Sequence, residues 1–131
     1  MEYNILLVDD EETIHELLPI FLARNTEHTF SVHSALNGKE GVEMYGKLAS
    51  NGHKPDLVLM DIRMPVMDGV EATRRIIEKD PETNIHLFTA YVGAEVEEDA
   101  LKAGAKGTIC KGADWDRTVE GIINTLERES V

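Results

Sequence analysis

The sequence predicts a single α/β domain built on a five-stranded parallel sheet with helices on both faces. Three observations lead there. Short apolar runs recur along the 131 residues, at 5–8, 30–32, 57–60, 85–88 and 108–110. The segments between them carry apolar residues at three- and four-residue spacing, the period of an amphipathic helix. Turn signals separate the two patterns: Asn37-Gly38, Asp68-Gly69, Asp80-Pro81 and Gly104. Strands that are apolar along their whole length, alternating with helices, belong to parallel sheets buried on both faces.

The elements follow in order. The first run ends in Asp9 and Asp10 and leads to a helical segment with Ile14, Leu17, Leu18, Phe21 and Leu22 on one face. Pro19 falls inside that segment. It removes a hydrogen bond and should kink the helix near His15; a helix starting later is the alternative. The second run is followed by Asn37-Gly38, a turn. The third run, Leu57-Val-Leu-Met60, stops abruptly at Asp61 and enters a Pro- and Gly-marked loop ending at Gly69. The fourth run ends in Thr89 and the fifth in Lys111. The last helix carries Trp115, Val119, Ile122, Ile123 and Leu126 at 3–4 spacing, with Asp114 as its candidate N-cap. No repeat, low-complexity tract or Gly/Ser linker interrupts the chain, so residues 1–131 read as one domain.

Composition narrows the function. Apolar content of 42% and charged content of 29% fit a soluble globular protein. The net charge of −12 disfavours direct nucleic acid binding and attraction to anionic lipid, and leaves metal cations and basic protein surfaces as partners. Cys110 is the one cysteine, so no internal disulfide can form. The first apolar run is too short and too quickly acidic for a signal peptide or a spanning helix, so no membrane insertion and a cytoplasmic location are expected.

The strand ends carry the chemistry. In an open parallel sheet, ligands bind outside the carboxyl ends of the strands, at the topological switch point. The residues delivered there are Asp9 and Asp10, then Asp61, Thr89 and Lys111. In the flavodoxin-like order 2-1-3-4-5, a three-layer (βα)5 sandwich, the first and third strands are neighbours and the three carboxylates converge. Like charges so close cannot all stay ionised unaided. A hard cation such as Mg2+, with carboxylate, water and phosphate oxygens as ligands, is the natural remedy. A carboxylate can act as nucleophile and form an aspartyl phosphate, with the metal and Lys111 neutralising charge on the phosphoryl oxygens and Thr89 donating a hydrogen bond. Asp61 is the nucleophile of choice. It is the lone acid with an extended loop behind it, and that loop can offer the Arg63 backbone carbonyl to the metal.

From end to end the chain resembles a receiver domain of two-component response regulators, of the chemotaxis-regulator kind. The resemblance rests on Val8-Asp-Asp-Glu-Glu12, Ala35-Leu-Asn-Gly-Lys-Glu40, Asp56-Leu-Val-Leu-Met-Asp-Ile-Arg-Met-Pro-Val-Met-Asp-Gly69, Thr89-Ala90, and Lys111 after Ala103-Gly104-Ala105. It implies that Asp61 is the phosphoacceptor. It implies that Asp10, Asp61 and the Arg63 carbonyl bind Mg2+ directly (Mn2+ could substitute) and that Asp9 acts through water. Thr89 and Lys111 would contact the phosphoryl group. The donor would be a histidine kinase or phosphotransfer protein, and the protein would be a signalling domain that assists its own phosphorylation and dephosphorylation rather than a conventional enzyme. The output surface would be the fourth helix, fifth strand and fifth helix, facing a protein partner. Phosphate adds about −1.5 to −2 charges and shifts a two-state balance.

Three departures bear on that picture. Gly112 follows Lys111 where the family usually has Pro. Thr108 stands at the switch position, where the family often has an aromatic. Arg63 and Tyr91, two residues after Asp61 and Thr89, would flank the phosphoryl group; they either shield it from water and slow hydrolysis or are two solvated surface side chains. Elsewhere the residues read as structural. His15, His28, His33, His53 and His86 are scattered as surface or edge residues; Cys110 is a buried small hydrophobe; Trp115 belongs to the core; Glu95, Glu97, Glu98 and Asp99 form a solvated helix face.

Three rival functions fit less well. A haloacid-dehalogenase-like phosphatase would want an Asp where Arg63 stands. A flavin module would want a Ser/Thr-rich loop where Asp9 and Asp10 would repel phosphate. An inactive receiver would not need the intact Asp10, Asp61, Thr89 and Lys111 set. No DNA-binding or catalytic segment follows Leu126, which leaves a stand-alone receiver or the first domain of a longer regulator.

Overall fold

The computed structural model describes residues 1–90, 93–112 and 114–129. In chain order its elements are β1 (Glu2–Val8), α1 (Glu12–Leu22), β2 (Thr29–Ala35), α2 (Gly38–Ser50), β3 (Leu57–Met60), α3 (Gly69–Lys79), β4 (Ile85–Thr89), α4 (Ala94–Ala103), β5 (Gly107–Cys110) and α5 (Trp115–Glu129). The sheet has five strands in the order β2-β1-β3-β4-β5, and every pairing is parallel. This is the predicted architecture and order. Two strands outrun their apolar cores. β1 begins at Glu2 and β2 runs to Ala35, and they pair along their whole length from Glu2↔Thr29 to Val8↔Ala35. Residues 2–4 do not read as strand in the sequence because two of the three are polar.

Period-two alternation sorts the core into its layers. Ile5 and Leu7 of β1, Leu57 and Leu59 of β3, Phe88 and Ile109 pack with Leu18 and Leu22 of α1 and Ile122 and Leu126 of α5. Leu6, Val8, Val58, Met60 and Ile85 face the other way, onto Tyr45 and Leu48 of α2 and Ala72 and Ile76 of α3. Leu87 meets Ala100 of α4. Each fully buried leucine or isoleucine adds about 1.5–3 kcal/mol of transfer free energy, so the central strands hold the strand ends rigidly in place.

Local chemistry fixes the helix starts. Asn37 accepts from the Glu40 amide at 2.9 Å, and Asp68 accepts from the Glu71 amide at 2.9 Å. Asp114 accepts from the Arg117 amide at 3.2 Å, as the sequence predicted. α1 runs continuously from Glu12 to Leu22 with Pro19 inside it, so the later-starting helix does not occur. Trp115 is part-buried against the core and stacks on Phe21, ring centroids 5.1 Å apart and planes within 3°.

Three expectations are corrected. Cys110 is exposed, at the end of β5, an edge strand with one neighbour. His86 is buried in β4 rather than on the surface. Room for it comes from Gly107 on the adjacent strand, where a Cβ would lie 3.2 Å from the imidazole. Glu97 is not part of a solvated face: its carboxylate accepts a hydrogen bond from Thr108 Oγ1 at 3.2 Å.

Candidate functional site

The carboxyl ends of β1, β3, β4 and β5 meet at one edge of the sheet. Asp61 follows β3 directly, and its amide donates to the Val8 carbonyl at 2.9 Å, locking the ends of β1 and β3 together. Gly69 closes the loop behind it. The Gly69 amide donates to the Ile62 carbonyl at 2.8 Å, and a Cβ there would sit 1.9 Å from the Asp61 carbonyl oxygen. Only glycine allows that approach. Asp9, Asp61, Thr89 and Lys111 are all buried, with Asp9 at 0% exposure.

Lys111 is the hub. Its ammonium donates to Asp9 Oδ2 at 2.7 Å, to Glu11 Oε1 at 3.2 Å and to Asp61 Oδ2 at 3.3 Å. Burial alone would weaken its hold on the proton. The hydrogen bond to and charge of Asp9, then the charge of Asp61 and the bond to Glu11, more than offset that, and its pKa is raised. One cation does not satisfy the acids. Burial, and next the charge of Asp9, push the Asp61 carboxyl up from 3.8 to about 6, against the opposing pull of Lys111.

Carboxylate oxygens of Asp9, Glu11 and Asp61 all lie within 4.8 Å of one another. Two buried carboxylates and an exposed one, hard oxygen donors with an unbalanced negative charge, fit a divalent cation. The cavity beside them has a volume of 510 Å³ and is lined by Asp10, Glu11, Asp61, Ile62, Arg63, Thr89, Ala90, Val96 and Lys111. A larger groove of 1220 Å³ runs along β5 and α5, but it lies away from the converging acids, so chemistry rather than size marks the site.

The predicted set is thus brought together in one place. Asp9, Asp61 and Lys111 are in direct contact, and Asp10, Thr89 and Arg63 line the same cavity. Asp10 is exposed at the rim rather than within the tight trio. Thr108 stands apart, bonded to Glu97 of α4. Tyr91 lies outside the described residues. Glu11 is a contributor that sequence reasoning missed. It follows the Asp pair at the start of α1, where neither strand nor helix periodicity assigns a direction. His15 is another: Nε2 donates to the Asp9 carbonyl at 2.7 Å and Nδ1 meets Ser34 Oγ at 2.8 Å. His28, a scattered residue in the sequence, pairs with Glu127 at 3.0 Å and ties the approach to β2 to the end of α5. No described helix is long and apolar enough to cross a membrane.

Comparison with known proteins shows the family and agrees with the fold. The family model described as the response regulator receiver domain matches residues 5–123. The chemotaxis protein CheY of Bacillus subtilis is 37% identical over 126 residues, covering 96% of this chain and 99% of that protein. The regulatory protein AtoC of Escherichia coli is 36% identical over 128 residues, 98% of this chain but 26% of AtoC. Among solved structures, the CheX–CheY–BeF3–Mg2+ complex of Borrelia burgdorferi superposes with a TM-score of 0.77 at 29% identity, covering 98% of this chain and 90% of that one.

Proposed function

The chain belongs to the response regulator receiver family, and on that footing we propose that Asp61 accepts a phosphoryl group in a Mg2+-dependent reaction. The observation that carries this reading is the Asp61 carboxylate itself, buried beside Asp9 and only partly neutralised by Lys111. A Borrelia burgdorferi relative solved with BeF3 and Mg2+ supports the choice of ligands. Asp10, Asp61 and the Arg63 carbonyl would hold the metal, Asp9 would act through water, and Mn2+ would serve in its place. When bound, the cation neutralises charge on the phosphoryl oxygens.

The residues divide the remaining work. One Asp61 oxygen attacks phosphorus in line as the nitrogen–phosphorus bond of a kinase or phosphotransfer-protein phosphohistidine breaks, and the freed imidazole keeps that electron pair and takes up a proton. Ile62 N–H, 2.9 Å from Asp61 Oδ1, holds the carboxylate in orientation. Lys111 already contacts three acids and exchanges part of that contact for the incoming phosphoryl oxygens. Thr89, at the end of β4, donates to another. Arg63 flanks the group and, with Tyr91, restrains water from reaching it. The change of charge then moves the ends of β4 and β5, and the α4–β5–α5 face carries the signal to a protein partner.

The test is direct. Incubation with acetyl phosphate and Mg2+ should add one phosphate to the wild-type mass and none to Asp61→Asn. A phosphate gained by the Asn variant would show that the acceptor lies elsewhere.

A further inference from the structure

The Asp9 backbone carbonyl lies just past the end of β1, where the sheet ladder no longer supplies a partner. The last ladder bonds there are Asp61 N–H to the Val8 carbonyl at 2.9 Å and Asp9 N–H to the Ala35 carbonyl at 3.1 Å. Asp9 is fully buried, and an unpaired buried carbonyl costs about 1–3 kcal/mol. His15 supplies the missing bond from α1. It lies three residues before Leu18 and seven before Leu22, the two buried residues of that helix, so it heads the inner face and reaches the strand ends. A carbonyl only accepts, so Nε2 carries the proton, at 2.7 Å; in the neutral ring Nδ1 then accepts from the Ser34 hydroxyl at 2.8 Å. The ring is held at both ends and bridges the ends of β1 and β2.

We propose that His15 is a positioning residue for the acidic pair: by holding the Asp9 carbonyl it fixes the peptide plane that joins Asp9 to Asp10 and so aims Asp10 at the cation. The peptide unit is planar, so an oxygen held on one side fixes the nitrogen of the next residue. The other polar atoms of Asp9 are already committed. Oδ2 accepts from Lys111 at 2.7 Å and Oδ1 from the Glu11 amide at 2.9 Å. Asp10, exposed at the cavity rim, has no such clamp of its own among the contacts that define the site, and takes its direction from the backbone it shares with Asp9. The inference rests on the metal-dependent phosphoacceptor reading above, and assigns the histidine to the metal's outer support rather than to the phosphoryl chemistry.

Mg2+ titrations followed by amide 1H–15N shifts at the site test it in the intact chain, with urea unfolding run in parallel. His15→Phe keeps a ring but no donor, and should weaken Mg2+ binding about tenfold or more, the range seen when outer-shell partners of metal ligands are lost. His15→Gln, which restores an N–H of similar reach, should bind Mg2+ nearly as the wild type does. If the Phe variant does not fold, His15→Asn takes its place: it keeps the amide but falls short of the Asp9 carbonyl, and should bind as weakly. Wild-type affinity in the Phe or Asn variant would overturn the inference. Equal weakening in the Gln variant would overturn it too, because ring volume rather than the donor would then matter. Asp10→Asn is the control for the underlying reading. Wild-type amides that ignore Mg2+, or an Asp10→Asn protein that binds it normally, would overturn the metal assignment and this inference with it.

Discussion

Replacing Asp61 with Asn should stabilise the metal-free protein at neutral pH, although it removes the central group of the site. The folded chain holds the Asp61 proton with a pKa of about 6 against an ordinary value of 3.8, because burial and then the Asp9 charge disfavour the ionised form. A folded pKa above the unfolded one means that ionisation costs folding free energy. The protonated form's advantage is fully present below 3.8 and is lost as the pH rises through about 6. At about 1.4 kcal/mol per tenfold, the cost reaches ~3 kcal/mol above that range. Asn keeps the shape and an acceptor for the Ile62 amide but carries no charge. It also gives up the 3.3 Å contact with Lys111, which remains bonded to Asp9 and Glu11. A net gain of ~1–3 kcal/mol is therefore expected at pH 7.5, worth about 3–5 °C in Tm per kcal/mol at this chain length. Urea unfolding in EDTA, followed by the fluorescence of the single Trp115, gives the measurement at several pH values. The advantage of Asn should shrink steadily from pH 7.5 to 4.5. Adding Mg2+ should stabilise the wild type and leave the Asn variant unmoved, since the cation relieves the same charge. An Asn variant no more stable than wild type at pH 7.5, or one with an equal advantage at both ends of the pH range, would refute the account of Asp61 as a frustrated charge.

Other outcomes follow from the same geometry. Gly69→Ala would place a methyl group 1.9 Å from the Asp61 carbonyl oxygen and should destabilise the protein by about 1–3 kcal/mol while slowing phosphorylation, read by urea unfolding and by intact mass over time. Val66 sits at φ 71 in a three-residue turn closed by the Met67 amide on the Pro65 carbonyl at 2.7 Å, and its side chain is 78% exposed. Val66→Gly should relieve the positive-φ strain and stabilise by about 1 kcal/mol without loss of Mg2+ binding, as equilibrium unfolding and metal titration would show. Cys110 should react with one equivalent of a thiol reagent in the native protein, at a rate little raised by denaturant.

How much of the molecule is legible in its sequence follows from where each residue lies. β3 is buried at all four positions and β4 at all five, so each reads as a short apolar run whose end delivers the next residue to the sheet edge. That is why the run pattern singles out Asp61 and Thr89; Lys111 follows the less buried β5, whose apolar run is the weaker signal. Glu11 escapes it, because a residue between a strand and a helix has no period to assign its direction. His15 is equally hidden: its partners, Asp9 and Ser34, lie six and nineteen residues away, and a lone histidine in a helix carries no signal of a strand-end carbonyl. Cys110 and His86 depart from expectation in opposite senses for one reason. Apolar patterning predicts burial from a residue's own character, whereas burial here depends on the neighbour. Cys110 ends an edge strand and is exposed; His86 is buried beside Gly107, which has no side chain to crowd it.

If Asp61 takes up phosphate as proposed, the contacts of β5 set how that charge change would travel. The strand spans four residues, and Lys111 follows it immediately. Thr118 Oγ1 of α5 donates to the Cys110 carbonyl at 2.9 Å, so a pull on Lys111 would reach α5 one residue away. Toward α4 the link is the Thr108–Glu97 bond at 3.2 Å. A hydroxyl–carboxylate bond of this kind is worth about 1–2 kcal/mol net. It is either made or broken, unlike a large ring that can settle in or out of a packed pocket. That magnitude falls within the ~1–3 kcal/mol typical of coupling between sites, so on the proposed reading Thr108 would serve a switch without an aromatic side chain. Among the described residues, none lies within 4 Å of a Cβ built at Gly112. On the proposed reading, Lys111 would shift from carboxylate to phosphoryl partners, and the bond from Thr118 to Cys110 would pass that movement to α5.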